Sequence, residues 1–105
     1  MATSVNFIQY VCEQLSGIGS IRYRKMFGEY MVYINDKPVV IVCNDTAYVK
    51  MLEEIQGMME NSETGYPYEG AKEHYILDID DSNFSKMVVS KIEEVTTLPK
   101  KKINR

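Results

Sequence analysis

Two Asn-Asp pairs near the middle of the chain constrain its fold more than any other feature. Asn35-Asp36 and Asn44-Asp45 are turn-forming dipeptides, because both residue types tolerate left-handed backbone angles. The segments that precede, separate and follow them are rich in strand-forming residues: 30–34, 39–43 and 47–51. A further strand pattern begins at Arg22. Since antiparallel strands can be joined by two-residue turns, this order predicts an antiparallel meander.

The strand 39–43 is apolar without alternation. A strand with one solvated face would alternate polar and apolar residues, so this pattern indicates a strand that is covered on both faces. Pro38 is compatible with this interpretation, because proline is tolerated at the first residue of a strand.

Amphipathic helices are predicted on both sides of the meander. The first spans residues 4–16, with Ser4 as its N-cap and Gly17 at its end, and the closing helix begins at residues 80–82 and is stopped by Pro99. Their apolar stripes recur at helical spacing: Ile8, Val11, Cys12 and Leu15 in the first, and Phe84, Val88, Ile92 and Val95 in the second.

The region between the meander and the closing helix is predicted to hold a short helix around residues 52–59, a loop at 66–70 and a strand at 74–79. The fold class is therefore α+β: a two-layer domain with an antiparallel meander sheet of about five strands, N- and C-terminal helices and a short middle helix. We expect one domain over residues 1–98 and a basic, disordered tail at 99–105.

Composition narrows the classes of function. The 105 residues carry a formal net charge of −3, which disfavours a domain whose main task is to bind phosphates. Cys12 and Cys43 lie in apolar segments and are expected to be buried free thiols in a reducing compartment. With no basic leader and no apolar run long enough for a bilayer, we expect a cytoplasmic protein without membrane contact.

A specific series of residues resembles the N-terminal domain of the TfoX family. The series starts with the corner Arg24-Lys25-Met26-Phe27-Gly28 and continues with Tyr30, Tyr33, the first Asn-Asp turn, an apolar strand and Tyr48-Val49-Lys50. The later run Gly65-Tyr66-Pro67-Tyr68 is similar to the aromatic loop of that family. The resemblance covers nearly the whole chain. Two departures stand out, since Glu29 and Met31 occupy positions where the family pattern has glycine.

The resemblance implies a small α+β domain, similar to secretion-chaperone-like folds, associated with transcriptional regulation of natural competence in bacteria. Longer TfoX/Sxy regulators carry a second, C-terminal helical domain. The 105 residues here resemble the first domain alone, so we expect a stand-alone N-terminal domain. We expect Met26, Phe27 and Gly28, which form this corner, to have a structural role. Gly28 is expected to have a positive φ or to form a bulge.

Six residues form the candidate surface for a partner or nucleic acid: Arg22, Arg24, Lys25, Tyr30, Tyr33 and Tyr48. On a strand, Arg22 and Arg24 share a face and Lys25 lies opposite. Such cations also serve to discourage pairing at a sheet edge. Tyrosines suit a half-buried sheet surface, but they can also anchor a protein partner or stack bases.

Catalytic chemistry has little support in the sequence. His74 is the only histidine and is expected to be solvated or on an edge strand, and no Ser or Cys has a nucleophile context. Asp78, Asp80 and Asp81 lack the spacing of a calcium loop and fit a strand end and a helix cap. We therefore expect no cofactor, no metal and no enzyme activity.

The favoured function is a non-catalytic regulatory domain that binds a protein partner, with a homodimer as one form of that interaction. The alternative is a nucleic-acid-binding regulator that uses the basic strand 22–25 and the C-terminal tail.

Overall fold

The computed structural model describes residues 4–26 and 29–97. An antiparallel sheet of six strands packs against two helices, which confirms the α+β class. The helices are α1 (Val5–Gln14) and α2 (Ser82–Val95), with a 3₁₀ helix at Glu53–Ile55. The strands are β1 (Ile21–Met26), β2 (Glu29–Ile34), β3 (Lys37–Cys43), β4 (Thr46–Lys50), β5 (Thr64–Gly65) and β6 (His74–Ile76), in the spatial order β1-β2-β3-β4-β6-β5.

The two Asn-Asp pairs form the predicted turns. Asn35 and Asp36 have φ values of 52° and 68°, and Asn44 and Asp45 have 52° and 54°. Positive φ at both central residues defines the turn type whose twist matches that of the flanking strands. The turns join Ile34 to Lys37 and Cys43 to Thr46, and they thereby set the register of β2, β3 and β4.

Side chains cap both helices where the sequence predicts caps. The Ser4 hydroxyl accepts a hydrogen bond from the Phe7 amide at 3.1 Å, and the Asp81 carboxylate accepts one from the Phe84 amide at 3.1 Å. These bonds satisfy amides that have no partner within the first helical turn. α1 ends at Gln14, two residues earlier than predicted, and Gly17 follows with a φ of 99°.

One hydrophobic cluster joins both helices to a single face of the sheet. We call this the core face. The strand members that alternate onto this face are Tyr30, Val32, Ile34, Val40, Val42, Ala47 and Val49, and the helices contribute Ile8, Val11, Leu15, Val88, Val89 and Ile92. Strand side chains alternate between faces, so the intervening residues lie on the opposite side, which we call the open face.

The prediction that strand 39–43 is covered on both faces holds in part. Val40 and Val42 are buried on the core face, and Cys43 is buried although it alternates with them, but Ile41 on the open face is partly exposed. The β2–β3 register also shifts: Val32 is opposite Val40 whereas Tyr33 is opposite Pro38, which leaves Val39 as an extra, bulged residue.

Other differences concern the second half of the chain. The sheet has six strands because residues 64–65 form a two-residue edge strand, which is too short to show a strand pattern in the sequence. The predicted middle helix is only a 3₁₀ turn, although Ile55 within it and Met59 after it are buried. β6 ends at Ile76 rather than at residue 79. Phe27, Gly28 and the basic tail lie outside the described residues.

A half-buried ion pair joins the β2–β3 turn to α2. Lys37 Nζ lies 3.1 Å from Glu93 Oε2 and donates to the Glu93 carbonyl oxygen at 3.0 Å. Asn35 Nδ2 donates to the same carboxylate at 3.3 Å. The hydrogen bond from Lys37, followed by that from Asn35, lowers the pKa of Glu93 below its usual value.

Glu93→Gln is expected to destabilise the protein near neutral pH and to have a smaller effect in acid. Because the folded state lowers the pKa of Glu93, its carboxylate stabilises the fold above the unfolded pKa, and this stabilisation is lost as pH falls through the folded pKa. Urea unfolding of both proteins at about pH 7 and at about pH 3 measures the difference. A constant difference across this range would contradict the assigned ionic role.

Gly19→Ala is expected to lower the unfolding free energy by about 1–3 kcal/mol. A Cβ at Gly19 would lie 2.8 Å from Ile34 Cγ2 and 2.8 Å from Asn35 Nδ2, and Ile34 is fully buried. Gly57→Ala is the matched control, because a Cβ at Gly57 would have no neighbour within 4 Å. Equal unfolding free energies for the two variants would refute the close approach at Gly19.

Candidate interaction surface

A row of side chains crosses the open face from β1 to β6. Direct partners in the ladders align one residue from each of five strands, all but β5. Together they form what we call the central row: Arg24, Met31, Ile41, Tyr48 and Ile76. Arg24 is exposed, and the other four are partly exposed. An apolar and aromatic strip with a cation at its β1 end thus lies on a sheet face that the helices leave largely uncovered.

The β4–β6 half of the row is packed closely. A Cβ placed on Gly65 would lie 3.4 Å from both Tyr48 Cε2 and Ile76 Cδ1. Tyr48 and Ile76 are therefore neighbours above the short edge strand β5. The absence of a side chain at Gly65 leaves room for the tyrosine ring to lie across the sheet.

Arg22 and Tyr33 lie beside the central row. They are direct partners in the β1–β2 ladder, and the Arg22 guanidinium carbon is 4.3 Å from the centre of the Tyr33 ring. Arg22 Nε also lies 3.0 Å from Asp36 Oδ1 in the turn. Arg22 is thus held in place by a ring and a carboxylate, whereas Arg24 makes no ion pair within residues 4–26 and 29–97.

Another cation, Lys50, lies near the opposite side of the open face. Lys50 is exposed on β4 and is paired with His74 on β6. The expectation that His74 is solvated or on an edge strand is wrong. β6 lies between β4 and β5, and the histidine side chain is 7% exposed. Its Nδ1 lies 2.7 Å from the Lys72 carbonyl oxygen, and its Nε2 finds no partner in the described part of the chain.

The structure divides the six residues of the candidate surface between two faces. Arg22, Arg24, Tyr33 and Tyr48 share the open face. Tyr30 and Lys25 pair with each other on the side of the core face. Tyr30 is only 6% exposed and makes an edge-to-face contact with Tyr23, with ring centres 5.4 Å apart.

Three apolar members of the central row were missed in the sequence: Met31, Ile41 and Ile76. The signal that could have found them is the register set by the two turns. A two-residue turn makes Cys43 and Thr46 direct partners, and counting back along both strands places Ile41 opposite Tyr48. The bulge at Val39 does not affect this count, because it lies beyond Ile41.

The end of α2 partly shelters the β2–β4 portion of the row. A cavity of about 330 Å³ is lined by Met31, Ile41 and Tyr48 on the strands and by Val95 and Thr97 at and beyond the helix end. After Val95 the chain continues with extended backbone at Thr96 (φ −94°, ψ 131°). The open face is therefore bounded at one side by residues 95–97.

Both cysteines are free, as predicted, but they differ in environment. Cys43 is buried and Cys12 on α1 is half-buried. Burial raises the pKa of both thiols, and the Glu29 carboxylate adds to the effect at Cys43. Glu29, one of the departures from the family pattern, thus contacts a thiol.

Together, these observations define a small two-layer α+β domain with one helix-covered sheet face and one face left open. The chain belongs to the TfoX N-terminal domain family, whose sequence profile it matches over residues 13–88. This confirms the resemblance derived from the corner and strand motifs.

One relative is an uncharacterised 12.7 kDa protein from the trpE 5' region of Spirochaeta aurantia. The two sequences are 33% identical over 78 residues, which covers 74% of this chain and 68% of that protein. Neither helix that the structure describes has the length and apolar character needed to cross a membrane. Within the same residues, no three His, Cys, Asp or Glu side chains cluster in a way that could hold a metal ion.

Thiol alkylation of the native protein is expected to be slow at about pH 7 and to modify Cys12 before Cys43. The thiolate is the reactive form, so a raised pKa lowers the reactive fraction at both sites, and burial further blocks Cys43. Mass spectrometry after timed exposure to iodoacetamide, with and without urea, gives the two rates. Rapid native modification of Cys43 would contradict the burial of β3 at that position.

Proposed function

We propose that this chain is a non-catalytic regulatory domain that binds a protein partner through the open face of its sheet. The central row carries this proposal. Its four apolar or aromatic side chains remain partly exposed on a continuous surface, and an exposed arginine lies at one end. Interface centres are enriched in aromatic residues, methionine and arginine, and depleted in other charged residues.

The geometry of the sheet supports binding by a preformed surface. The row spans five hydrogen-bonded strands, so its side chains are held by backbone ladders rather than by a loop. A rigid apolar strip loses little conformational entropy when it is covered, which favours affinity. Arg24 can pair with a carboxylate of the partner, since it makes no ion pair within the described residues.

The environment of the only histidine supports a non-catalytic role. The carbonyl oxygen of Lys72 can only accept, so Nδ1 of His74 donates to it, and the side chain is nearly buried between two strands. A general acid or base must reach the substrate proton directly or through one water. His74 is not placed to do so.

A regulatory role and a cytoplasmic location complete the proposal. Membership of the TfoX N-terminal domain family supports a role in transcriptional regulation, with natural competence as the first process to examine. The two free cysteines support a reducing compartment, where thiols stay unpaired. A second copy of the chain is one form that the protein partner can take.

Nucleic-acid binding is the second candidate. Arg22 and Arg24 share the open face with Tyr33 and Tyr48, so cations and aromatic rings lie together as they do on base-stacking sheets. The formal net charge of −3 opposes it, and Asp36 already pairs with Arg22. A gel shift at two salt concentrations tests this candidate, because phosphate contacts weaken as salt rises.

A photo-crosslinking amino acid at position 31 is expected to capture a partner, whereas the same group at position 87 is not. Met31 lies in the central row, and Met87 is the matched control, since it is 55% exposed on α2. Irradiation in cells of the source organism followed by mass spectrometry identifies the adduct. An adduct of twice the chain mass indicates a second copy, which sedimentation over a concentration series then verifies. Equal adduct yields at the two positions, or none at either, would overturn the proposal.

A further inference from the structure

The outer edge of β1 has no partner strand within the described residues. β1 is the first strand in the sheet order, and no other strand in the described ranges 4–26 and 29–97 pairs with its outer side. Its residues 22–25 are exposed. The opposite edge of the sheet is formed by β5, which has only two residues. The long free edge of this sheet is therefore at β1.

The hydrogen-bond pattern identifies which backbone groups point outward. The Asn35 amide donates to the Ser20 carbonyl oxygen at 2.8 Å, and these residues are direct partners when the β1–β2 register is extended by one pair. Pairs that exchange hydrogen bonds alternate with pairs that do not. The N–H and C=O groups of Ile21, Tyr23 and Lys25 therefore point away from β2 and are available to another strand.

The charge of this edge selects among possible strands. Arg22, Arg24 and Lys25 are basic, and β1 contains no acidic residue. An antiparallel second copy of β1 would place cations against cations, which is unfavourable across strands. A strand with acidic residues on the open-face side would instead pair with Arg24, which makes no ion pair within the described residues.

A groove beside the edge adds a requirement for apolar residues. A cavity of about 580 Å³ lies between α1 and β1 and is lined by Cys12, Ile21 and Tyr23 together with Gln9, Glu13, Ser16 and Arg22. Tyr23 and Ile21 occupy the core-face side of β1, because their partners Val32 and Ile34 are buried there. Alternate side chains of an added strand would enter this groove, while the intervening ones would lie on the open face beside Arg22 and Arg24.

We propose that the outer edge of β1 binds an extended segment of a partner protein in which acidic residues alternate with apolar ones. The segment adds a strand to the sheet, places its apolar side chains in the α1–β1 groove and pairs its carboxylates with Arg24 and with Arg22 on the same face. This inference deepens the proposed function and rests on the partner being a protein. The mode of recognition is strand addition, in which main-chain bonds give affinity and alternate side chains give selectivity.

Cations on an edge strand also protect a sheet from unwanted pairing, and the two roles differ in their consequence for an acidic strand. Protection requires that the edge bind no strand. Recognition requires that it bind an acidic strand and reject a basic one. Peptide binding therefore separates the two roles.

The probe is a short, end-capped peptide in which glutamate alternates with valine, carrying a fluorophore for anisotropy. We expect it to bind, to weaken as salt rises, and to bind at least about tenfold more tightly than the same peptide with glutamine or lysine in place of glutamate. Equal binding of the glutamine peptide would overturn the acidic selectivity. Absence of binding by the glutamate peptide would overturn the proposal as a whole.

N-methylation of the peptide separates strand addition from simple charge attraction. An added strand directs alternate amides toward β1, so methylating amides of one parity is expected to abolish binding, while methylating the other parity preserves it. The bound peptide is also expected to slow alkylation of Cys12 and amide exchange at Tyr23 and Lys25. Equal binding of the two methylated peptides would refute strand addition.

Charge reversal in the protein locates the site. Arg24→Glu is expected to weaken the glutamate peptide by at least about tenfold. The matched control is Lys50→Glu, which reverses an exposed cation on an internal strand of the same face and is expected to have little effect. Urea unfolding verifies that both variants are folded. Equal losses in the two variants would place the peptide on the open face and refute the edge site.

The experiments distinguish a failure of the edge-binding proposal from a failure of the proposed function. If the peptide does not bind but position 31 still captures a partner, the edge assignment fails and the open-face interaction stands. If neither experiment gives a specific product, the proposed protein-binding function fails with it.

Discussion

The fold depends on four residues with left-handed backbone angles. Asn35, Asp36, Asn44 and Asp45 form the two tight turns, and those turns set the register of the central strands. Because strand side chains alternate between faces, a register change of one residue would move every side chain to the other side of the sheet. The turns therefore decide which residues enter the core and which form the central row.

Much of the architecture could be predicted from local chemistry. The Asn-Asp turns, the Ser4 and Asp81 caps and the apolar stripes of both helices each depend on a few neighbouring residues, so the sequence carries their signals directly. β5 carries no such signal: Thr64 and Gly65 form a strand only because β6 supplies a partner. The burial of His74 likewise depends on β5 and β4 lying on both sides of it. These outcomes depend on tertiary context, which single residues do not reveal.

The candidate surface was predicted only in part, for a similar reason. Residue types identified Arg22, Arg24, Tyr33 and Tyr48, but type alone could not separate Tyr30 from the other tyrosines. Tyr30 and Tyr33 are three residues apart on one strand, so they point to opposite faces. Tyr30 is buried on the core face and contacts the exposed Tyr23 ring, whereas Tyr33 lies under the Arg22 guanidinium. Position within the ladder, rather than residue type, assigns each ring its environment.

The bulge at Val39 has a consequence for the connection between the sheet and α2. In an unbroken ladder, strict alternation back from Val40 would direct Lys37 to the open face, away from the helix. The extra residue reverses the parity, so Lys37 pairs beside Ile34 on the core side, where it meets Glu93. One inserted residue thus allows the tip of the β2–β3 hairpin to form an ion pair with the last helix. In any redesign of this chain, the number of residues in β3 decides on which side of the sheet Lys37 lies.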